Sequence, residues 1–188
     1  TAASTREGEE EKQIISIRSV LQKFPEALFI IVPRHPERFD KVFSLLKKSG
    51  LNCERRSSTS VIAKDTQVLI GDSLGEMHSY YGVSDIAFVG GSLVNTGCHN
   101  VLEPAAFAIP ILAGPSQYNF SEICSRLEKA GGLLTVRNEY ELSEEIIKLL
   151  FDEPKRLQMG KASKKELLSN QDSLPTLVNI VDQLLSMD

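Results

Sequence analysis

Between Ser84 and Phe120 the chain reads SDIAFVGGSLVNTGCHNVLEPAAFAIPILAGPSQYNF. The residue types there suit the binding of an anion. Gly90-Gly91 lets the backbone turn tightly and approach a ligand without interference from a Cβ. Asn100-Val101-Leu102-Glu103-Pro104 opens a helix, and the free N–H groups of a first helical turn attract phosphate. Two further loops carry similar chemistry: Pro33-Arg34-His35-Pro36-Glu37 and Asp72-Ser73-Leu74-Gly75-Glu76. Arg34 offers a planar fork for an oxyanion, and His35 and His99 offer imidazoles.

Residue by residue, plainer roles compete. Glu103 can answer Asn100 as a capping residue across Asn-x-x-Glu, or cap a helix that starts at Pro104. Arg34 can be a surface charge, and His35 can cap the helix that follows it. Glu9-Glu10-Glu11 reads as a solvated helix start, not an acid–base pair, because acids suit the positive end of a helix dipole. His99 beside Cys98 lacks the further ligands of a metal site, so no metal is expected. Gly90-Gly91 alone is not the G-x-G-x-x-G pattern, which argues against NAD.

Each of the three loops follows an apolar strand and precedes a helix. Ala27–Val32, Thr66–Ile70 and Ile86–Val89 are short apolar runs bounded by turn residues, as expected of strands buried on both faces. Ile109–Leu112 and Leu133–Val136 read the same way, Leu51–Arg56 more weakly, and Ala2-Ala3-Ser4 as the end of a strand. Helices are expected between them, the first with Ile14, Ile17, Leu21 and Phe24 on one face and Pro25 closing it. Others follow at 139–151, 154–169 and 174–187. Val61-Ile62 is a possible short apolar bridge. The alternation predicts a Rossmann-like α/β domain: about six parallel strands, helices on both faces, and loops gathered at the strands' C-terminal ends.

The 188 residues suffice for one well-cored domain. Hydrophobic residues are 41% and the net charge is −4 with no basic block, which excludes nucleic acid as the main partner. The three cysteines lack a CxxC pair, and a reducing compartment fits better than a disulfide framework or zinc. No apolar run approaches the roughly 20 residues of a membrane span. The first residue is Thr, and the chain reads as a piece of a longer protein.

VPRHPERF, IGDSLGEM and FVGGSLVNTGCHNVLEPA, with the opening STREGEE, are similar to the 3-deoxy-D-manno-octulosonic acid (Kdo) transferases. The resemblance runs along nearly the whole chain. It is to the C-terminal, donor-binding half of these two-domain GT-B glycosyltransferases. It implies that residues 1–188 form a single CMP-Kdo-binding domain, and that the N-terminal, acceptor-binding domain is absent. It implies transfer of Kdo from CMP-Kdo to a lipid A precursor in lipopolysaccharide synthesis, at the cytoplasmic face of the bacterial inner membrane. Inversion at the anomeric centre is expected, with no cofactor and with the general base in the absent domain, so that this piece alone transfers nothing.

Carried over by position, the resemblance places CMP contacts at Pro33, Arg34, Leu74, Gly75, Glu76, Asn100, Val101, Leu102 and Glu103. The Glu103 carboxylate would accept both ribose hydroxyls, and Arg34 would pair with the phosphate. Arg6 and Glu7, in a loop that faces the interdomain cleft in the family, are secondary candidates with His35, Gly91, Ser92 and His99. Cys98 and Ala108 stand where glycine is common in the family. A positive φ at either would strain a non-glycine residue by roughly 1–2 kcal/mol. The alternatives are a GT-B domain for a UDP-sugar and a non-enzymatic nucleotide-binding module.

Overall fold

The computed structural model describes residues 1–58 and 61–169. Its short apolar runs pair into one sheet of seven strands: β1 (Ala2–Thr5), β2 (Phe29–Pro33), β3 (Cys53–Arg55), β4 (Val68–Ile70), β5 (Ala87–Val89), β6 (Ile111–Ala113) and β7 (Leu133–Thr135). Every pairing is parallel, in the order β3-β4-β2-β1-β5-β6-β7. The Rossmann-like expectation holds, with seven strands where about six were expected. The Ala2–Thr5 segment is short and alanine-rich, yet it takes the centre of the sheet.

Side-chain alternation divides the core in two. Ala2, Ile31, Val68, Ile70, Phe88 and Leu112 pack on one face, with Ile14, Ile17 and Val20 of α1 (Glu9–Leu21). Val42 and Leu46 of α2 (Phe39–Lys48) and Leu142 and Leu149 of α6 (Glu139–Phe151) complete that layer. The opposite face carries Val89, Ile111 and Ala113. These pack with Ala105 of α4 (Leu102–Ala106) and with Cys124 and Leu127 of α5 (Ser121–Lys129). Tyr80 and Tyr81 of α3 (Met77–Gly82) cover the same face near Leu69 and Ala87.

The last described helix, α7 (Glu153–Ser169), lies close over the end of α4. A Cβ at Gly160 would stand 1.8 Å from the Ala108 carbonyl oxygen, so only glycine fits. Ala108 has φ 55 and carries the strain anticipated there; Cys98 does not, because the neighbouring Gly97 takes the left-handed turn with φ 78. The helix expected over 174–187 lies outside the described residues. Val61 and Ile62 are exposed and belong to no strand.

Two expectations for α1 are corrected. The helix ends at Leu21, short of Pro25, with Leu21 and Phe24 partly buried against the core. Glu9 and Glu10 are not solvated: their side chains are fully enclosed, at 0% and 1% exposure. Both point into the sheet edge, where tertiary donors await them.

Candidate functional site

From β1 the chain moves outward on one side through β2 to β4 and β3, then returns to add β5, β6 and β7 on the other. The direction reverses between β1 and β5. In open parallel sheets the crevice beyond the strand ends at such a reversal is the usual ligand site. Here it receives the loops that follow β1, β2 and β5, with the loop after β4 beside them. The three loops singled out from the sequence therefore do lie along one edge. The loop after β1, given only a secondary place, lies at its centre.

A buried acid shapes the crevice. Glu9 accepts the backbone N–H groups of Arg6 (2.9 Å), Gly91 (2.7 Å) and Leu93 (2.9 Å), binding the loop after β1 to the loop after β5. Burial raises its carboxyl pKa, against the opposing pull of these N–H donors. Glu10 meets Arg38 through two hydrogen bonds, of 2.9 and 2.7 Å, and accepts from the Thr5 hydroxyl at 2.7 Å. This fixes α1 against the 3-10 turn at Pro36–Arg38. Sequence reasoning missed both clamps, because acids at a helix start satisfy a local rule without any tertiary partner.

Just before Arg6, β1 bulges at Ser4, which has φ 56 and interrupts the register with β2. Bulges of this kind re-aim side chains at strand ends. Arg6 donates from Nε to Nε2 of His99 (3.1 Å) and from Nη1 to Nε2 of His35 (2.6 Å). A guanidinium has no acceptor, so both imidazoles accept at Nε2 and are neutral, with the proton on Nδ1. His35 thus holds the N-cap position of the turn without a side-chain capping bond, and its ring serves Arg6 instead. Burial, then the positive charges of Arg6 and Arg34, lower the pKa of His99 to about 4.

The remaining candidates divide between the crevice and the interior. Arg34 is exposed, and its backbone N–H donates to the Thr5 carbonyl (3.1 Å), which holds its loop against β1. The Asn100 side chain accepts from the Leu102 N–H (3.0 Å) and donates to Glu103 Oε1 (3.2 Å). Glu103 and Asn100 therefore cooperate at the start of α4, but through side chains, without the reciprocal backbone bond of a capping box. Val101 is fully buried in the core, leaving only its backbone for a ligand. Ser92 is also interior, donating to the Val89 carbonyl (2.6 Å) and accepting from the Gly114 N–H (2.7 Å).

Pro33 is buried at the end of β2. Leu74 is 80% exposed beside Gly75, whose φ is 81. The Glu76 carboxylate is engaged by Ser73, by Arg56 (3.0 Å) and by Tyr80 (3.2 Å), which lowers its pKa. Glu7 lies at the exposed lip, paired with Lys41 and not with the Arg6 cluster. Cys98 faces Cys124 in the core (Sγ to Sγ 3.7 Å), pointing away from His99's partners. Among the described residues no three His, Cys, Asp or Glu side chains are grouped to hold a metal.

A cationic crevice at a sheet reversal, with a carboxylate at the start of the next helix, suits a phosphorylated sugar donor. The family model described as Glycosyl transferases group 1 matches residues 9–166. The chain belongs to the group 1 glycosyltransferases.

Within that family the chain is homologous to the Kdo transferases. It is 43% identical over 98% of its length to the 3-deoxy-D-manno-octulosonic acid transferase of Haemophilus influenzae, of which it spans 43%. It is 36% identical over 86% of its length to that of Bordetella pertussis, of which it spans 39%. The chain therefore spans less than half the length of these curated relatives. The crystal structure of the C-terminal CMP-Kdo binding domain of WaaA from Acinetobacter baumannii superposes with a TM-score of 0.84 at 33% identity. That match covers 88% of this chain and 86% of the other.

In this glycosyltransferase domain His99 makes stability depend on pH. Its folded pKa, about 4, lies below the ordinary value of 6.5. A depressed pKa contributes stability that is complete above about 6.5 and is lost as pH falls toward about 4. The ring is half-buried, so solvent screening reduces the effect to the order of 1 kcal/mol. Urea midpoints measured from pH 7 to pH 4 should fall more steeply for the wild-type chain than for His99→Gln. Parallel curves would show that His99 takes up its proton without cost to the fold.

Proposed function

We propose that this chain is the donor-binding domain of a Kdo transferase, holding CMP-Kdo in the crevice between β1 and β5. The observation that carries the reading is the gathering of Arg6, Arg34, His35 and His99 beside the Asn100–Glu103 pair at the sheet's point of reversal. The match to a CMP-Kdo binding domain over most of both chains supports it. Glu103 receives the ribose hydroxyls, Arg34 the phosphate, and the backbone of Leu74-Gly75-Glu76 the base or phosphate edge. CMP leaves as the bond to Kdo breaks, and charge gathers on its phosphate. Donors aimed at the phosphate, Arg34 among them, stabilise that charge.

The whole enzyme then carries out transfer to a lipid A precursor, with inversion, in lipopolysaccharide synthesis. The general base and the acceptor site are assigned to the rest of the enzyme, a reading supported by the chain's spanning less than half the length of its curated relatives. The membrane's cytoplasmic face is the corresponding place of action. Among the described residues no helix is long and apolar enough to cross a membrane.

Titration calorimetry of this chain with CMP and UMP tests the reading. CMP should bind at least tenfold tighter, and Glu103→Ala and Arg34→Ala should each weaken it. In the full-length enzyme each substitution should reduce transfer at least tenfold, about 1.4 kcal/mol of barrier. A UMP preference would redirect the assignment to a UDP-sugar enzyme. Absence of binding to either nucleotide would leave an interaction module.

A further inference from the structure

The donor proposed above carries two anions of different shape: a tetrahedral phosphodiester and, as an octulosonic acid, a planar carboxylate. The crevice holds two arginines in correspondingly different states. Arg34 is exposed, and among the described residues its guanidinium has no side-chain partner. Arg6 is held on two sides, by His99 at Nε (3.1 Å) and by His35 at Nη1 (2.6 Å). Its own backbone N–H is fixed by buried Glu9. Two of its five side-chain N–H groups are thus spent on neutral imidazoles. Nη2 and the second N–H of Nη1, the end of the fork, have no partner among the described residues.

We infer that Arg6 reads the carboxylate of the sugar acid, with His35 and His99 acting as positioning residues that set the plane of its guanidinium. This rests on the donor reading above. A guanidinium held in one plane matches a planar carboxylate through two parallel hydrogen bonds, whereas a free one adapts to the three-dimensional spread of a phosphate. Because the side chain is already ordered, little rotamer entropy is lost on binding. The imidazoles are the appropriate neighbours: they accept from Arg6 without neutralising it, as a carboxylate in their place would. The bulge at Ser4, which directs the chain into Arg6, localises backbone strain at the same point.

Arg6 would therefore separate acidic-sugar donors from neutral ones, while the nucleotide is read elsewhere. The test compares CMP with CMP-Kdo by titration calorimetry on the wild-type chain, Arg6→Gln and Arg6→Lys, each first checked for an unchanged urea unfolding curve. The wild-type chain should bind CMP-Kdo more tightly than CMP. Arg6→Gln should weaken CMP-Kdo at least tenfold, to the level of CMP, with CMP affinity within twofold of wild type. Arg6→Lys, which retains the charge without the fork, should recover only part of the loss and leave CMP unaffected.

An equal loss for both ligands would make Arg6 a nucleotide-phosphate contact and overturn the inference. Unchanged affinity for both would remove Arg6 from the site. If the wild-type chain binds no CMP, the donor reading itself fails and the inference falls with it. If CMP binds normally and only the Arg6 effect is missing, the donor reading stands and this inference alone is lost.

Discussion

Glu9→Ala should lower the unfolding free energy by about 3–5 kcal/mol, the cost of removing the acceptor from a buried charge-assisted cluster. The side chain is fully enclosed and receives three backbone N–H groups, from Arg6, Gly91 and Leu93. Alanine leaves these donors without their acceptor at a place closed to bulk water. Glu9→Gln should be milder but still costly. It retains one oxygen and turns the other position into an NH₂ group facing N–H donors. Urea unfolding at neutral pH measures both. Because the acid joins the loops after β1 and β5, the crevice should loosen with it, and CMP affinity should fall even where the domain still folds. A loss below 1 kcal/mol for Glu9→Ala would show that these loops hold their shape without the clamp.

Gly91→Ala should cost about 2–5 kcal/mol and abolish CMP binding. Two independent penalties add. Gly91 has φ 78, a left-handed conformation that costs an L-residue roughly 1–2 kcal/mol. A Cβ there would also lie 2.2 Å from the Gly97 carbonyl oxygen, a backbone atom that cannot rotate away. Gly97 is itself confined: its N–H donates to the Ser116 hydroxyl (3.1 Å), and the Cys98 N–H donates to the Ser116 carbonyl (2.8 Å). Overpacking against fixed backbone accounts for the remaining 1–3 kcal/mol. Relief would have to come from moving the 96–99 segment, and that would displace the adjoining Asn100 and, through it, Glu103, the proposed ribose contact. Thermal unfolding and calorimetry read the two effects separately. A variant that folds with wild-type stability and binds CMP normally would contradict both the conformation and the contact.

Sequence patterns carry most of the secondary structure because burial on both faces of a parallel sheet leaves a local mark. Ile30-Ile31-Val32, Val68-Leu69-Ile70 and Ile111-Leu112-Ala113 are continuous apolar runs, since every side chain enters one layer or the other. β1 was harder to weigh: two alanines, a bulge at Ser4 and a buried threonine give a faint signal for the central strand. The shared edge of the loops after β2, β4 and β5 was also legible, because parallel strands joined by helices bring all their C-terminal ends together. The composition of those loops, with the family resemblance, named Arg34, Asn100 and Glu103.

By itself, then, the sequence determined the layers, the direction of the strands and the edge where a ligand can sit. All three follow from rules that act within a few residues of each other. Only the tertiary structure decided which polar groups meet. Nothing local to Glu9 or Glu10 distinguishes a buried clamp from a solvated helix start. Their partners, Gly91, Leu93 and Arg38, are brought to them by strand order. Arg6, His35 and His99 come from three separate loops and form one cluster because β1 lies between β2 and β5. Hydrogen bonds reach about 3 Å, and a contact of that length between residues 93 positions apart is set by topology, not by spacing along the chain.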